Sequence, residues 1–260
     1  MRAYEHISYE TEGHVAIITI RREASRNALD DLANIELGRA FDHFAQNDDA
    51  WVAIITGAGD KSFCAGNDMK KRAAGATLSK DKWSGGFGGL TTRHDLFKPV
   101  IAAVNGYAVG GGVEIALACD IVIAATHATF AMQEVKFGQL AGAGGAHRLP
   151  RALSWQRAME LLLTGRPINA TKALDWGLVN EVTSGDDLMT RAKAWALEIA
   201  GNSPLAVRAT KEAASMGLSW ALEDVIDHSF PGRDALRASA DFKEGPCAFA
   251  EKRKPVWTGA

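Results

Sequence analysis

The chain has 260 residues, of which 47% are hydrophobic, so it can bury the core of one full-sized α/β domain, and disorder as its main state is excluded. Its 29 basic and 31 acidic residues leave a formal net charge of -2, which offers no overall field for a polyanion such as nucleic acid. Three scattered cysteines show no disulfide or metal spacing, the histidines form no ligand pattern, and no apolar run has membrane-spanning length. We therefore expect a cytoplasmic protein with no metal, no membrane partner and no nucleic-acid partner.

Short apolar runs alternate with helical patterns in the first half of the chain. β-Branched runs at Val15–Ile20 and at 51–56 predict buried strands, and apolar residues at helical spacing predict a helix over 30–44 between them. The same order of strand, helix and strand recurs at Val100–Val104, 110–119 and Ile121–Ala125. This alternation predicts a parallel sheet that is covered on both faces.

The last third of the chain is expected to be mostly helical. Amphipathic patterns predict helices at 155–163, Ala170–Trp176, Leu188–Ala200 and 205–216. By contrast, segment 72–92 is rich in Gly, Ser, Lys and Thr, a composition that favours a mobile surface loop. This loop is either a lid over a site or an ordinary surface excursion.

The run NGYAVGGGVEIALACD (105–120) places three glycines between an apolar strand and a helix. Glycine allows backbone to approach a ligand closely, and the first N–H groups of a helix have no intrahelical partner. A negatively charged oxygen is therefore favoured beside Gly111, with Glu114 in the first helical turn. Tight packing of the helix on the strand would select the same small residues.

The run KSFCAGNDM (61–69) offers a second turn of small residues. The backbone N–H of Asn67 is a candidate second donor there. By composition alone, Asp68 is a helix cap or a solvated carboxylate, and Cys64 is a packing residue more than a nucleophile.

The third run, ATFAMQEVKFGQLAGAGG (128–145), places Glu134 in an otherwise apolar stretch. Partial desolvation would raise the pKa of this carboxyl group towards a value that suits proton transfer. The alternative is a structural ion pair with Lys136 or with a nearby Arg.

Together these runs resemble the crotonase superfamily, the enoyl-CoA hydratase/isomerase family, along nearly the whole chain. The resemblance includes RNALD (26–30), SFCAGND (62–68), KPVIAAVNGYAVGGGVEIALACD (98–120), ATFAMQEVKFG (128–138) and the terminal EGPCAFAEKRKPVW. The order and spacing of these motifs carry the resemblance, since no motif is specific alone.

The resemblance implies an α/β fold: a crotonase-like spiral of ββα units over 1–200 that bears the CoA-thioester site, and a C-terminal helical trimerisation region over 201–260. It implies a homotrimer, often paired into a hexamer. The oxyanion-hole donors would be the backbone N–H groups of Asn67 and Gly111, and the catalytic acids would be Glu114 and Glu134. Coenzyme A would be part of an acyl-CoA thioester substrate, with no separate cofactor.

The resemblance also points to a set of residues near the substrate or the coenzyme A portion. They are Arg26, Ala28, Ala65, Asp68 and Gly110, with Phe249 and Lys252 from the C-terminal region.

The implied reaction is reversible syn addition of water to the double bond of a 2-enoyl-CoA, which gives a 3-hydroxyacyl-CoA. Many family hydratases have proline next to the second acid and again in the following loop, whereas this chain has Gln133 and the stretch 140–143, so the acyl pocket is expected to differ. The stretch GGFGGLTTRHDLFKP resembles the carnitinyl-CoA dehydratase branch, which is the nearest alternative. An enoyl-CoA isomerase and a noncatalytic or RNA-binding family member remain open.

Overall fold

The structure is a computed structural model that describes residues 4–75 and 83–260. Within these residues the strands are β1 (Ile7–Glu12), β2 (Val15–Ile20), β3 (Val52–Gly57), β4 (Ser62–Cys64), β5 (Val100–Val104), β6 (Tyr107–Val109), β7 (Ile121–Ala125), β8 (Thr129–Ala131), β9 (Ile168–Asn169) and β10 (Glu181–Thr183).

The helices of the same residues cover the sheets and fill the C-terminal part. They are α1 (Asp31–Gln46), α2 (Met69–Ala73), α3 (Gly111–Ala118), α4 (Gly145–Ala152), α5 (Trp155–Thr164), α6 (Ala170–Trp176), α7 (Leu188–Ala200), α8 (Pro204–Gly217), α9 (Leu222–Val225), α10 (Pro231–Ala238) and α11 (Ala240–Ala250). Short 3-10 helices lie at Glu23–Ser25, Phe87–Gly89 and Glu134–Phe137. No helix in the described ranges is long and apolar enough to cross a membrane.

The larger sheet has the strand order β1-β2-β3-β5-β7-β10. β1 and β2 form an antiparallel hairpin, and the remaining neighbours are parallel, with Ile17 opposite Ile54 and Ala53 opposite Val100. All residues of β3 and β5 are buried, as expected for central parallel strands covered on both faces. The prediction of a covered parallel sheet is therefore confirmed.

The smaller sheet has the strand order β4-β6-β8-β9, and the chain alternates between the two sheets in a repeating path. The chain makes a long strand in the larger sheet, then a three-residue strand in the smaller sheet, and repeats this with β3 and β4, β5 and β6, and β7 and β8. A helix follows the second strand in the first two of these passages. This is the expected spiral of ββα units.

Helix α1 illustrates how the sequence fixes a boundary. Asp30 precedes the helix in extended conformation, and its Oδ1 accepts a hydrogen bond from the backbone N–H of Ala33 at 2.9 Å, which satisfies one unpaired donor of the first turn. Leu37, Phe41 and Phe44 are fully buried on one face of the helix. The predicted helix over 30–44 is confirmed with its end moved to Gln46.

The segment predicted as a mobile surface loop, 72–92, is exposed over 72–75, where α2 ends, but is largely packed over 83–92. Residues 76–82 of that prediction lie outside the described residues. Trp83, Phe87 and Leu90 are buried in the core cluster, and the Gly88 N–H donates to Asn34 Oδ1 of α1 at 2.8 Å. The prediction is wrong for residues 83–92 because backbone with positive φ at the glycines of 85–89 bends tightly enough to insert the apolar side chains between helices.

The C-terminal helices pack mainly on one another. Helix α10 lies against α8 and α11, and α8 is joined to the spiral by an ion pair between Lys211 Nζ and Asp120 Oδ2 at 2.7 Å. This part of the chain leaves Leu218, Leu222 and Phe249 strongly exposed. The expected helical character of the last third is confirmed.

Candidate active site

A cavity of about 940 Å³ opens between the smaller sheet, the start of α3 and the segment after β8. Its lining residues are Ala65, Gly66, Asn67, Met69, Arg72, Trp83, Gly86, Phe87, Thr91, Thr92, Val109, Gly110, Gly111, Glu114, Gln133, Glu134, Phe137, Gln139, Leu140, Gly142 and Ala143. All three sequence runs singled out above therefore contribute to one cavity.

Each of the three glycines at 110–112 is required for a different physical reason. Gly110 has φ +54, and a Cβ there would lie 2.8 Å from Glu134 Oε1. A Cβ on Gly111 would collide with the Phe87 ring, and one on Gly112 would collide with the backbone O of Cys64. Gly112 thus fits the helix-packing interpretation of the motif, whereas Gly110 makes room for the Glu134 carboxyl group.

The turn at Gly66 brings a second backbone segment to the start of α3. Gly66 has φ +83, and a Cβ there would lie 2.8 Å from the backbone O of Val109 and 3.2 Å from the backbone N of Gly111. Asn67 pairs with Leu29 as an isolated parallel bridge. Within the described residues, the N–H groups of Asn67 and Gly111 donate to no other group. Two unpaired donors therefore line the same cavity.

Glu114 is the buried acid of the cavity, with 3% of its surface exposed. Its Oε1 accepts a hydrogen bond from the Gly145 backbone N–H at 2.8 Å. The pKa of Glu114 is raised to about 7, mainly by burial and also by the charge of Glu134, while hydrogen bonds from the Gly145 and Ala143 backbone N–H groups and the charge of Arg148 act to lower it. A carboxyl group with a pKa near 7 can accept or donate a proton at neutral pH.

Glu134 begins the short 3-10 helix that follows β8. Burial raises the pKa of its carboxyl group, and its Oε2 is enclosed with no hydrogen-bond partner among the described residues. The alternative of a structural ion pair is not supported, because no ion pair of Glu134 occurs within residues 4–75 and 83–260. The carboxyl group is instead oriented towards the cavity.

The raised pKa of Glu114 predicts a pH-dependent gain in stability for Glu114→Gln. The folded pKa of about 7 exceeds the ordinary value of 4.5, so the folded state holds the extra proton between these pH values, and the contribution of Glu114 to wild-type stability falls as pH rises through them. Glutamine removes that loss, so the variant should gain up to about 3 kcal/mol over wild type at pH 8 and little at pH 4.5. Denaturant unfolding at both pH values measures this difference in the free energy of unfolding, with Glu10→Gln, a change at an exposed residue, as the control. A gain that is independent of pH would contradict it.

The other residues that the resemblance pointed to are spread more widely. Ala65 and Gly110 line the cavity. Ala28 is buried and directly precedes Leu29, the residue that forms the bridge with Asn67. Arg26 lines a separate cavity of about 180 Å³, with its guanidinium 5.7 Å from the centre of the Tyr107 ring.

Asp68 and the C-terminal pair are not among the cavity residues. Asp68 Oδ1 accepts from the Lys71 backbone N–H and so caps α2, while its Oδ2 pairs with Arg22 at 3.0 Å. Phe249 is 88% exposed near the end of α11, and Lys252 follows two residues after that helix.

Sequence reasoning did not identify several residues that the fold brings to the cavity. These are Trp83, Phe87 and Thr91 from the packed glycine segment and Arg72 from α2. The cluster of glycines at 85–89 was a signal for close packing, but nothing local in the sequence shows which way their neighbours point.

Comparison with known proteins agrees with this geometry. A family model described as enoyl-CoA hydratase/isomerase matches residues 10–260. The chain is 42% identical over 259 residues to an (E)-benzylidenesuccinyl-CoA hydratase of Thauera aromatica, covering 98% of this chain and 99% of the relative. It is 44% identical over 253 residues to a carnitinyl-CoA dehydratase of Proteus mirabilis, covering 96% and 97%. A crystal structure of enoyl-CoA hydratase from Mycobacterium tuberculosis superposes with a TM-score of 0.92 at 38% identity, covering 98% of this chain and 99% of the other.

The chain belongs to the enoyl-CoA hydratase/isomerase family of the crotonase superfamily. Its expected fold class is confirmed by the spiral of ββα units and by the superposition. Within that family it is an enzyme of the hydro-lyase class, like the named hydratase and dehydratase relatives.

Proposed function

We propose that the protein is an enoyl-CoA hydratase that adds water reversibly and with syn geometry to a 2-enoyl-CoA thioester. One observation carries the proposal: Glu114 and Glu134, two carboxyl groups with raised pKa values, line the same cavity as two unpaired backbone N–H groups. Hydration needs a base for water, an acid for Cα and donors for the thioester oxygen, and this set supplies all three.

The proposed reaction assigns each group one task. The Asn67 and Gly111 N–H groups donate to the thioester carbonyl oxygen, which gains negative charge as the oxygen of water bonds to Cβ. Ionised Glu114 takes a proton from that water, and protonated Glu134 delivers a proton to Cα as the enolate collapses. The two carboxyl groups exchange roles in dehydration. No metal or redox cofactor takes part in this scheme, in which coenzyme A is part of the substrate.

The decisive experiment is an assay of the purified protein on a panel of thioesters. Absorbance at the enoyl-thioester band should fall as 2-enoyl-CoA substrates are hydrated, and the product should be the 3-hydroxyacyl-CoA. Preferred turnover of crotonobetainyl-CoA would support the carnitinyl-CoA dehydratase alternative, which uses the same acid pair. Double-bond migration without hydration would support an isomerase. Inactivity on every thioester would favour a noncatalytic or RNA-binding role, which a salt-dependent RNA shift assay would test.

The proposed oxyanion donors predict that Asn67→Ala is tolerated. The donor is backbone N–H, which alanine retains, and the Asn67 Oδ1 atom is buried without a hydrogen-bond partner among the described residues, so its removal leaves no group unpaired. Turnover should stay within about threefold of wild type, against the 10²-fold or greater loss typical of a missing donor. Steady-state kinetics measures this, and an inactive, folded variant would reveal a side-chain role.

The exposed apolar side chains of the C-terminal region support a homotrimer or hexamer. Leu218, Leu222 and Phe249 are 82%, 72% and 88% exposed in the single chain, which is unfavourable unless other subunits cover them. We propose that residues 201–260 form the helical oligomerisation region, that residues 1–200 form the spiral core and that the protein is cytoplasmic. Sedimentation at micromolar concentration should give a trimer or a hexamer, and a monomer alone would contradict this.

A further inference from the structure

The cavity contains one basic side chain among its described lining residues, Arg72. It lies on α2, and its Nη1 donates to Gln139 Oε1 at 3.1 Å. The backbone N–H of Gln139 in turn donates to the backbone O of Glu134 at 2.9 Å. The guanidinium is therefore held against the wall that carries the second acid, with most of its donors left for a ligand.

The neighbouring cations of this region are engaged elsewhere. Lys71 pairs with Asp30, and Arg22 pairs with both Asp30 and Asp68. Arg72 forms no ion pair with any residue in the described ranges. Its positive charge thus stays outside the charge network around the start of α1, and this exposed side chain borders the cavity.

The position of α2 relates Arg72 to the reacting atoms of the proposed function, on which this inference rests. Asn67 would hold the thioester oxygen, and α2 starts two residues later. At about 1.5 Å of rise per residue, Arg72 lies about 5 Å further along the helix than its first residue. Arg26, expected on the coenzyme A side, lines a different cavity. Arg72 therefore lies along the cavity wall that carries Gln139 and Glu134, the acid assigned to Cα.

We propose that Arg72 recognises a carboxylate on the acyl group, so that the substrates are 2-enoyl-CoA thioesters whose acyl chain carries a second, terminal carboxylate. The guanidinium fork matches a carboxylate in two parallel hydrogen bonds. Thr91 lines the same cavity, and its buried hydroxyl has no hydrogen-bond partner among the described residues. The same charge repels a trimethylammonium end, which distinguishes this assignment from a preference for crotonobetainyl-CoA.

Binding of unreactive thioesters tests the proposal independently of catalysis. The dissociation constants of glutaryl-CoA and valeryl-CoA, and of adipyl-CoA and hexanoyl-CoA, compare acyl chains of equal length with and without the carboxylate. We expect wild type to favour the charged member of at least one pair by about 10-fold to 100-fold, the range of a charge-assisted hydrogen bond. Arg72→Gln should reduce that preference at least tenfold, Arg72→Lys should keep part of it, and Lys70→Gln, an exposed cation on the same helix, should leave it intact.

The same comparison is then made for turnover, as the ratio of kcat/KM for glutaconyl-CoA to that for 2-pentenoyl-CoA. A wild-type protein that binds neutral chains equally well or better in both pairs would overturn the proposal. An equal weakening of free CoA and all thioesters in Arg72→Gln would also overturn it, because Arg72 would then contact a coenzyme A phosphate. Charge-selective binding without hydration of any thioester would sustain the Arg72 assignment while refuting the proposed hydratase function.

Discussion

Glutamine in place of either acid is expected to lower turnover of a 2-enoyl-CoA thioester by about 10²-fold or more, the loss typical of a missing general acid or base. Folding and thioester binding should persist. In Glu114→Gln the side-chain oxygen can still accept from the Gly145 N–H, and in Glu134→Gln no hydrogen bond to a described residue is lost from Oε2. Steady-state kinetics and calorimetric titration with an unreactive acyl-CoA measure the two effects separately.

The pH profile provides the control for the acid pair. The wild-type kcat/KM should show an inflection near pH 7, where Glu114 titrates. This inflection should vanish in Glu114→Gln, and it should persist in the residual activity of Glu134→Gln. If either variant kept near wild-type activity, the corresponding carboxyl group would be structural.

Gly111→Val is expected to reduce turnover by about 10² to 10³-fold, equivalent to about 3 to 4 kcal/mol for one lost oxyanion donor. The backbone of Gly111 is helical, so the obstacle is the side chain itself, whose Cβ would collide with the buried ring of Phe87. Relief of the collision has to move either the ring into the cavity or the N–H out of position. Turnover and oxyanion-dependent binding of a transition-state analogue report the effect.

A rescue pair separates a misplaced donor from a misfolded protein. Gly111→Ala should already be impaired, and Phe87→Leu combined with Gly111→Ala should recover part of the activity, because the smaller side chain makes room while the N–H returns to its place. Circular dichroism and oligomer size are recorded for each variant. A folded, oligomeric Gly111→Val enzyme with normal turnover would refute this site.

The sequence predicted the larger sheet well for a physical reason. Its central strands are covered on both faces, so they appear as uninterrupted β-branched runs, and β2, β5 and β7 begin and end where predicted. The strands of the smaller sheet were not predicted, because two or three residues are too few to show a period. β1 was also missed, since its sequence ISYETE is largely polar.

Some residues of the candidate site could likewise be predicted from the sequence, and others could not. Asn67 and Gly111 could be proposed from the sequence because they lie in turns of small residues, Glu114 because it falls in the first helical turn after the glycines, and Glu134 because its surroundings are largely apolar. The order and spacing of these runs resemble the family. Arg72 and Thr91 could not, because their place in the cavity depends on how α2 and the segment 83–92 pack in three dimensions. The burial of Trp83 and Phe87 likewise depends on a tight glycine turn whose composition alone suggests mobility.

The parallel pairing of β4 with β6 has a consequence for how this site can diversify. That pairing sets Ser62 opposite Tyr107 and Cys64 opposite Ala108, and the two strands lead directly into the turns that present the Asn67 and Gly111 N–H groups. The half of the cavity that would polarise a thioester is thus anchored to a sheet, whereas the second half is built from α2, the segment 83–92 and the loop 133–143. Under the proposed function, substitutions in the second half that spare Phe87 and Glu134 are expected to change which acyl group is accepted without disturbing the preorganised dipoles of the first. Selectivity for the acyl group and activation of the thioester carbonyl are therefore expected to change independently of each other.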